Sequence, residues 1–268
     1  MKDADTNKDA PFHGVIAVTF ALPEESKDFV ARLHNASVAK TGALAVVAGE
    51  LLGRPVAICH TGVGAESCRA RIVPFLDGHR PRLLISSGFA GGLDPALKVG
   101  DLLVAENFST PDALAKAPLP QVVRGTMTTQ PRVAETVADK AALFSRMNAA
   151  AVDMETSVIF EECSRRGIPM ISLRGISDPA QDDLPVSFPI WFDSVKQRPR
   201  VGALLWELAA RPAKIPRFVR FVRGISLTRA RLTEALVELI GNLQASSPYP
   251  RSRTKQLPDE QSRRDDRQ

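Results

Sequence analysis

Cysteine and histidine are scarce in this sequence, and neither occurs in a pattern that binds metal. The three cysteines, Cys59, Cys68 and Cys163, are odd in number, widely spaced and each beside apolar residues. Such a set predicts reduced thiols in a core rather than disulfides or zinc ligands. The four histidines show no His-x3-His spacing and no neighbouring cysteine pair. We therefore expect no metal site and no cofactor.

Long hydrophobic runs are also missing. No segment approaches the roughly 20 apolar residues that span a membrane, and the polar start MKDADTNKDAPF has no apolar signal region. These features predict a cytoplasmic chain that is not integral to a membrane. Residues 1–12 are expected to be a disordered N-terminus. Residues 245–268 have no apolar period and are expected to be a disordered tail.

Acidic residues are almost absent from one segment. Residues 1–195 carry 19 basic and 23 acidic side chains, whereas residues 196–231 carry 10 basic side chains against the single acid Glu207. The net charge of +5 therefore comes from one part of the chain. The length of 268 residues would suit one large domain or two small ones, and we favour one domain with appendages.

The glycine motifs of common nucleotide-binding folds are incomplete. Gly62-Val63-Gly64 has Ser67 where a dinucleotide fingerprint needs its third glycine. The glycine loop 88–93 lacks the Lys-Ser/Thr of a P-loop. Each loop is either an ordinary tight turn or a place where the backbone approaches a ligand.

Strands and helices are predicted to alternate along the chain. The order predicts a three-layer α/β fold, an αβα sandwich with a mixed central sheet. Two of the strands, separated by Gly53, are expected to form a hairpin. Strands are predicted at 14–21, 43–48, 55–60, 83–87, 102–106 and 122–128, and helices at 23–35 and from Gly64 to about Leu76.

Carboxylates follow two predicted strands in the stretch 149–183. A strand delivers Asp153-Met154-Glu155 to the start of a helix, and the β-rich run 168–176 delivers Ser177-Asp178. Carboxylates at neighbouring strand ends suit catalysis in an α/β protein. The structural alternative is that Glu155 only occupies the first turn of its helix and that Asp178 only begins an Asp-Pro turn.

Five motifs in this order resemble the nucleoside phosphorylase superfamily, and most closely its nucleosidase branch, which hydrolyses methylthioadenosine and S-adenosylhomocysteine. The motifs are a strand ending in Ala-Leu-Pro-Glu-Glu, then Thr-Gly-Val-Gly, Ser-Gly-Phe-Ala-Gly-Gly-Leu with Lys-Val-Gly-Asp, Val-Asp-Met-Glu and Ile-Ser-Asp. Each is weak alone, but the combination is specific. The resemblance covers about Val15 to Asp183 and implies a catalytic domain at 13–189 and a homo-oligomer.

The resemblance implies a role for each matched residue. Asp178 would be the general acid that protonates N7 of the purine, and Glu25 the base that activates water. Glu155 would bind the ribose hydroxyls, with Met154 packed against the sugar. This set suits cleavage of an N-glycosidic bond, because the leaving base needs a proton and the sugar becomes cationic. Further substrate contacts are expected from Phe89, Ala90, Gly91 and Ser177.

Hydrolysis and phosphorolysis differ at the glycine loop. The phosphorylases carry a phosphate-binding serine and an arginine where this chain has Phe89 and Ser86. Neither replacement reproduces those phosphate contacts, so water is the expected nucleophile, although Arg69 or Arg82 could supply a charge from another direction. A purine nucleoside phosphorylase and a catalytically silent nucleoside-binding protein are the alternatives.

Other features depart from the usual nucleosidases. Residues 129–132, Thr-Gln-Pro-Arg, replace an element whose phenylalanine lines the purine pocket. Together with GGLDPALKVGD, VADKAAL and SDPAQDDLP, this resembles the hopanoid-associated branch, which is understood to remove adenine from adenosylhopane.

The segment 190–244 is predicted to be a basic helical extension. Within it, an apolar stripe, whose residues are given at the end of this paragraph, lies beside Arg217, Arg220 and Arg223. Such a helix suits peripheral contact of residues 214–231 with the inner face of a membrane, or else packs on the domain or on another subunit. The aromatics are not interleaved for base stacking, so no nucleic-acid partner is expected. The stripe consists of Ile215, Phe218, Val219 and Val222.

Overall fold

The computed structural model describes residues 14–41, 44–119 and 121–243. The two predicted disordered termini lie outside these residues. Within them, a ten-stranded mixed sheet forms the centre of the fold. Its strands are β1 (Ile16–Phe20), β2 (His34–Thr41), β3 (Leu44–Leu51), β4 (Arg54–His60), β5 (Leu83–Gly92), β6 (Leu102–Ala105), β7 (Val123–Gly125), β8 (Met127–Thr129), β9 (Ala151–Asp153) and β10 (Met170–Asp178).

Helices connect these strands and continue after the last one. A small hairpin, β11 (Phe192–Asp193) with β12 (Arg198–Pro199), stands apart from the sheet. The helices are α1 (Pro23–Val30), α2 (Ala65–Gly78), α3 (Pro111–Ala115), α4 (Val137–Met147), α5 (Thr156–Arg165), α6 (Phe188–Trp191), α7 (Val201–Ala210) and α8 (Ile215–Asn242).

The sheet has the strand order β2-β3-β4-β1-β5-β10-β6-β7, and β8 pairs with β9, which pairs with β5. β4, β1, β5 and β10 are mutually parallel. The pairs β2–β3, β3–β4 and β6–β10 are antiparallel, and β7 is parallel to β6. The predicted mixed sheet is therefore confirmed, as is the hairpin, which is β3 with β4.

Alternate residues of β1 face two separate hydrophobic cores. Ile16 and Val18 belong to the core that contains α1, α3 and the end of α8. Ala17 belongs to the core that contains α2 and α5. Because side chains alternate along a strand, a buried strand can pack helices on both faces. The three-layer sandwich is thus confirmed. The thiols of Cys59, Cys68 and Cys163 lie unpaired in the second core.

Three predicted boundaries are wrong. The first helix ends at Val30 rather than Asn35, because residues 34–41 form the edge strand β2, whose polar sequence gave no alternating pattern. The glycine loop 88–93 is a strand as far as Gly92, because its backbone pairs with residues 174–178 of β10. The predicted strand 122–128 is divided into β7 and β8.

The long helix α8 has two different halves. Leu232, Leu236, Leu239 and Ile240 are buried in the core with strand residues. Up to Leu227 the helix contains no buried residue. The core therefore draws on residues from both sides of the predicted boundary at 189.

The exposed part of this region presents apolar side chains. The exposed fraction is 76% for Trp206, 62% for Leu205 and 45% for Val222. Ile215 and Val219 of the predicted stripe are also exposed. We call residues 201–227, which comprise α7 and the first half of α8, the arm. No helix within the described ranges is both long enough and apolar enough to cross a bilayer.

Candidate active site

The ends of β5, β9 and β10 meet at one edge of the sheet. Gly91 of β5 is paired with Asp178 of β10 on one side and with Val152 of β9 on the other. This register brings together the two motifs that follow β9 and end β10. We call this place the carboxylate edge. The predicted site residues that lie on or beside it are Glu25, Phe89, Ala90, Gly91, Met154, Glu155, Ser177 and Asp178.

Glu155 stands at the start of α5, but its carboxylate does not cap that helix. Its Oε1 accepts a hydrogen bond from the Gly64 N–H at 2.6 Å, across the site. Burial raises the pKa of Glu155 well above its ordinary value, and the nearby Asp153 carboxylate adds to the rise. A carboxylate buried this way and aimed away from its own helix fits a ligand-binding role better than a capping role.

Glu25 reaches the same edge from the first turn of α1. Its Oε2 accepts from the Ala21 N–H at 2.8 Å and the Leu22 N–H at 3.2 Å, while Oε1 lies 3.4 Å from the Phe89 nitrogen. Burial raises the pKa of Glu25, and the Leu22 hydrogen bond and the charge of Arg174 oppose this rise. A carboxyl group with a raised pKa is suited to accept a proton from water.

Arg174 is a buried residue of the carboxylate edge that the sequence analysis missed. It is 4% exposed, and its Nη2 donates to Ser86 Oγ at 2.8 Å and to Thr156 Oγ1 at 2.5 Å. The same nitrogen lies 3.1 Å from Asp153 Oδ2. The sequence feature that could have identified it is a single charged residue in the middle of the apolar strand β10.

The other guanidinium groups that were considered do not reach this edge. Arg69 pairs with Glu161 and Glu162 on the helical surface. Arg82 is exposed and precedes β5, at the end of the strand opposite to the site. The positive charge next to Gly88 of β5 is therefore that of Arg174. A Cβ atom added to Gly88 would lie 2.8 Å from Arg174 Nη1 and 3.2 Å from Glu25 Oε2, so glycine is needed here.

Asp178 ends β10 with both carboxylate oxygens engaged. Oδ1 accepts from Ser177 Oγ at 2.5 Å. Oδ2 lies 2.6 Å from the Nζ of Lys140, whose side chain is fully buried. Ser177 Oγ is also 3.3 Å from the Ala90 carbonyl oxygen. The side chain is thus held at the edge rather than only beginning a turn.

A glutamine from the small hairpin holds the loop that carries Gly64. Gln197 Oε1 accepts from the Val63 N–H at 2.7 Å, and its Nε2 donates to the Val63 carbonyl at 3.0 Å. Gly64, with φ of 88°, adopts a left-handed conformation that favours glycine. A Cβ atom there would lie 3.9 Å from Met154 Cε. The loop therefore lies over the same space as Glu155 and Met154.

A cavity of about 800 Å³ lies beside the carboxylate edge. It shares Met154 with the edge and is continued by Gln130, Pro131 and Arg132, the residues that replace the family's purine wall. Phe188 and Leu143 supply apolar surface. The three carboxylates do not line it, so it suits the part of a ligand that is remote from the reacting bond.

The fold and this site define an α/β protein whose carboxylates meet where a mixed sheet ends, next to a cavity. The chain belongs to the phosphorylase superfamily, whose family profile matches residues 15–119 and 110–200. The superfamily that the motifs predicted is confirmed.

The relatives found by sequence include nucleosidases. The 5'-methylthioadenosine/S-adenosylhomocysteine nucleosidase of Shewanella halifaxensis is 25% identical over 206 residues, which cover 65% of this chain and 90% of that protein. The nucleosidase of the same name from Staphylococcus aureus is 24% identical over 228 residues, covering 72% of this chain and 100% of the relative.

The fold is also similar to a solved structure of such an enzyme. The nucleosidase of S. pneumoniae, solved with a transition-state inhibitor, superposes with a TM-score of 0.64 at 17% identity. The superposition covers 85% of this chain and 99% of that chain. This likeness establishes the fold.

Proposed function

We propose that this protein hydrolyses the N-glycosidic bond of a 5'-modified adenine nucleoside and releases adenine. The observation that carries the proposal is the convergence of Glu25, Glu155 and Asp178 on one sheet edge. N-glycoside cleavage needs an acid for the leaving base, negative charge near the sugar and a base for water. The nucleosidase names of the relatives support the choice of substrate.

In the proposed reaction, Asp178 donates a proton to the departing purine and Glu25 accepts one from the attacking water. Glu155 binds the ribose hydroxyls, and Met154 packs on the sugar. Because burial disfavours ionised Glu155, a sugar that becomes cationic stabilises the carboxylate most strongly in the transition state. An interaction that strengthens along the reaction lowers the barrier. Further substrate contacts come from Phe89, Ala90, Gly91 and Ser177.

Water is favoured over phosphate by the charges at the edge. The buried Arg174 already has Asp153 as its counter-ion, and it holds the hydroxyls of Ser86 and Thr156. Two further carboxylates, Glu25 and Glu155, would repel a phosphate dianion at this place. The apolar side chain of Phe89 offers phosphate no hydrogen bond.

The decisive experiment compares methylthioadenosine, adenosine and a lipid-linked adenosine, each with and without phosphate. The purified protein should release adenine without phosphate and leave a free sugar. A reaction that requires phosphate and yields a sugar 1-phosphate would favour the purine nucleoside phosphorylase alternative. Binding of all three without cleavage would favour the silent nucleoside-binding protein.

For the 5' substituent, we propose an apolar, membrane-derived group, which adenosylhopane would provide. The arm exposes Trp206, Leu205 and Val201 to solvent. The exposed Arg220 and Arg223 have no carboxylate within salt-bridge distance in the part of the chain that the structure describes. Apolar side chains beside unpaired arginines suit the surface of an anionic bilayer. The enzyme would then be cytoplasmic and peripherally bound through residues 214–231.

Hydrogen bonds tie the arm, and the residue before it, to segments that lie next to the cavity. Arg200, just before α7, donates from its backbone N–H to the Trp191 carbonyl at 2.7 Å, next to the lining residue Pro189. Arg217 of α8 donates to the Asp183 carbonyl at 3.1 Å. Asp183 in turn accepts from the Val137 N–H, beside the lining residues of α4. A lipid substituent that extends from the nucleoside past the cavity would therefore lie near the proposed bilayer surface.

We also propose that the protein is a homo-oligomer and that nucleic acid is not its partner. The arm could then serve either the bilayer or another subunit. Light scattering at two salt concentrations, with and without vesicles, separates these roles. An arm buried between subunits would not bind vesicles.

A further inference from the structure

Lys140 is a lysine in α4 whose side chain is completely buried, at 0% exposure. Its ammonium contacts two backbone carbonyls, those of Pro179 and Asp182, each at 2.8 Å. The third contact is the carboxylate of Asp178 at 2.6 Å. All three N–H bonds of the ammonium are therefore directed at acceptors, and one acceptor is the proposed general acid.

Asp178 needs a source for the proton that it donates. A carboxyl group can donate a proton to the purine only after it has received one. Asp178 has an ammonium group in contact with one oxygen and a serine hydroxyl in contact with the other. Among these neighbours, the ammonium is the group that can release a proton in ordinary aqueous chemistry.

We propose that Lys140 holds the proton that Asp178 passes to the purine. In this step a Lys140 N–H bond breaks as an O–H bond forms on Asp178. The Asp178 O–H bond then breaks as N7 of the purine gains the proton. The C1'–N9 bond breaks with its electron pair going to the purine. The attacking water supplies its hydroxyl to C1' and its proton to Glu25; Glu25 then releases that proton to solvent, and a solvent proton returns to Lys140 through Asp178 once adenine has left. Lys140 acts through Asp178, so it is a positioning and proton-holding residue, and the inference rests on the proposed function.

Lys140 forms its ion pair with Asp178, whereas the other acidic side chains near it have different hydrogen-bond partners. Asp139 is bonded to the Thr136 side chain and N–H, and Asp183 accepts from the Val137 N–H. Glu135 accepts from Ser187 and Phe188. Asp182 contributes its backbone carbonyl. Arg217 is paired with Asp183 rather than with Asp178.

A purely structural role for Lys140 must be distinguished from this one, because its contacts also tie the loop 179–182 to α4. The test uses two substrates, an adenine nucleoside and p-nitrophenyl riboside. The nitrophenolate leaves without protonation, whereas adenine needs the proton. A structural defect lowers turnover of both substrates, but loss of the proton holder lowers turnover of the nucleoside alone.

Lys140→Met should lower kcat for the adenine nucleoside about 10- to 100-fold, less than the roughly 10²- to 10⁴-fold that a general acid contributes, because Asp178 itself remains. Turnover of p-nitrophenyl riboside should stay within about two-fold of wild type. Lys116→Met, a change at an exposed lysine, is the matched control and should change neither rate.

Two further variants keep the test decisive if Lys140→Met does not fold. Lys140→Gln retains an N–H donor for the two carbonyls, and Lys140→Arg retains the positive charge. A guanidinium does not release its proton in proteins, so Lys140→Arg should not restore the rate. Full recovery by arginine, or equal losses on both substrates, would overturn the inference.

The failure of this inference is distinguishable from failure of the proposed function. If wild-type protein releases adenine and Lys140→Met keeps the wild-type rate on both substrates, only the role of Lys140 is wrong. If wild-type protein releases no adenine from any nucleoside, the proposed function is wrong and the role of Lys140 falls with it.

Discussion

The carboxylate edge and the arm are opposite in construction. At the edge, buried charges are matched with partners: Arg174 with Asp153, and Asp178 with Lys140. In the arm, Trp206 and its apolar neighbours face solvent, and Arg220 has no partner within the described ranges. Charges buried in a protein are tolerated only when paired, whereas open apolar surface suggests an absent partner. The contrast is between charges that the chain itself pairs at the edge and apolar and basic side chains that the arm leaves open.

The largest effect is expected from Asp178→Asn. The substitution removes the proton donor, so adenine release should fall about 10²- to 10⁴-fold. It also leaves the buried Lys140 without its carboxylate, so the variant should unfold at a lower temperature. Adenine release and thermal unfolding are measured together, with Asp182→Asn as the control on the adjacent loop. Near-normal turnover in Asp178→Asn would remove this residue from the mechanism.

Removal of Arg174 should have the next largest effect, this time on stability. Arg174→Met leaves the Asp153 carboxylate buried without a cation, which typically costs about 3–5 kcal/mol. Denaturant unfolding monitors the loss. The control is Arg32→Met, which breaks the half-exposed pair with Glu234 and should cost far less. Equal losses of unfolding free energy for the two variants would show that the buried ion pair at the edge stabilises the fold no more than the surface pair does.

For the arm, replacement of Arg217, Arg220 and Arg223 by Gln should weaken binding to anionic vesicles. Each arginine near such a surface contributes about 1 kcal/mol, so the triple variant should lose roughly 3 kcal/mol of binding free energy at low salt. Vesicle sedimentation gives the affinity, and methylthioadenosine hydrolysis should be unchanged. The idea fails if the wild type ignores anionic vesicles at low salt or binds neutral ones equally well.

The smallest change between neighbouring measurements is expected in the pH dependence of stability. Burial raises the pKa of folded Glu155, so its protonated form is favoured by folding. The contribution is complete below the unfolded value of about 4 and is lost as pH rises through the raised pKa, by at most about 1.4 kcal/mol per pH unit.

Glu155→Gln should remove this slope, because the amide does not ionise and its oxygen can still accept from the Gly64 N–H. The measurement is the free energy of unfolding of both proteins across that pH window. Glu66→Gln, at an exposed position, serves as the control. Parallel curves for wild type and Glu155→Gln would show that the raised pKa does not govern stability.

The order of motifs was enough to predict the mixed sheet and the superfamily, and it named the three carboxylates that the structure brings to one edge, because short motifs mark the ends of the strands that carry them. The roles of these carboxylates stay predictions. The role of Arg174 was not predicted, since its partners Ser86, Thr156 and Asp153 come from three other elements. The burial of Lys140 could not be predicted from the sequence either. Its helix has the pattern of an amphipathic helix, and the side chain is buried because the loop 179–182 packs over it.

The arm was predicted in part. The stripe from Ile215 to Val222 follows helical spacing, and its exposure agrees with the expected apolar face. The buried second half of α8 shows the same spacing, because Leu232, Leu236 and Ile240 are four residues apart. Periodicity identifies an apolar face but does not say whether this chain or another surface covers it.

The continuity of α8 has a consequence for orientation. Its 28 residues form one rod about 42 Å long, with one end in the arm and the other fixed in the core. A rod fixed in the core transmits the tilt of its free end to the whole body. If the arm lies on a bilayer, the enzyme cannot tumble about its anchor like a domain on a flexible tether. The cavity would open towards the lipid at one constant angle, and each substrate molecule would enter the site in the same pose.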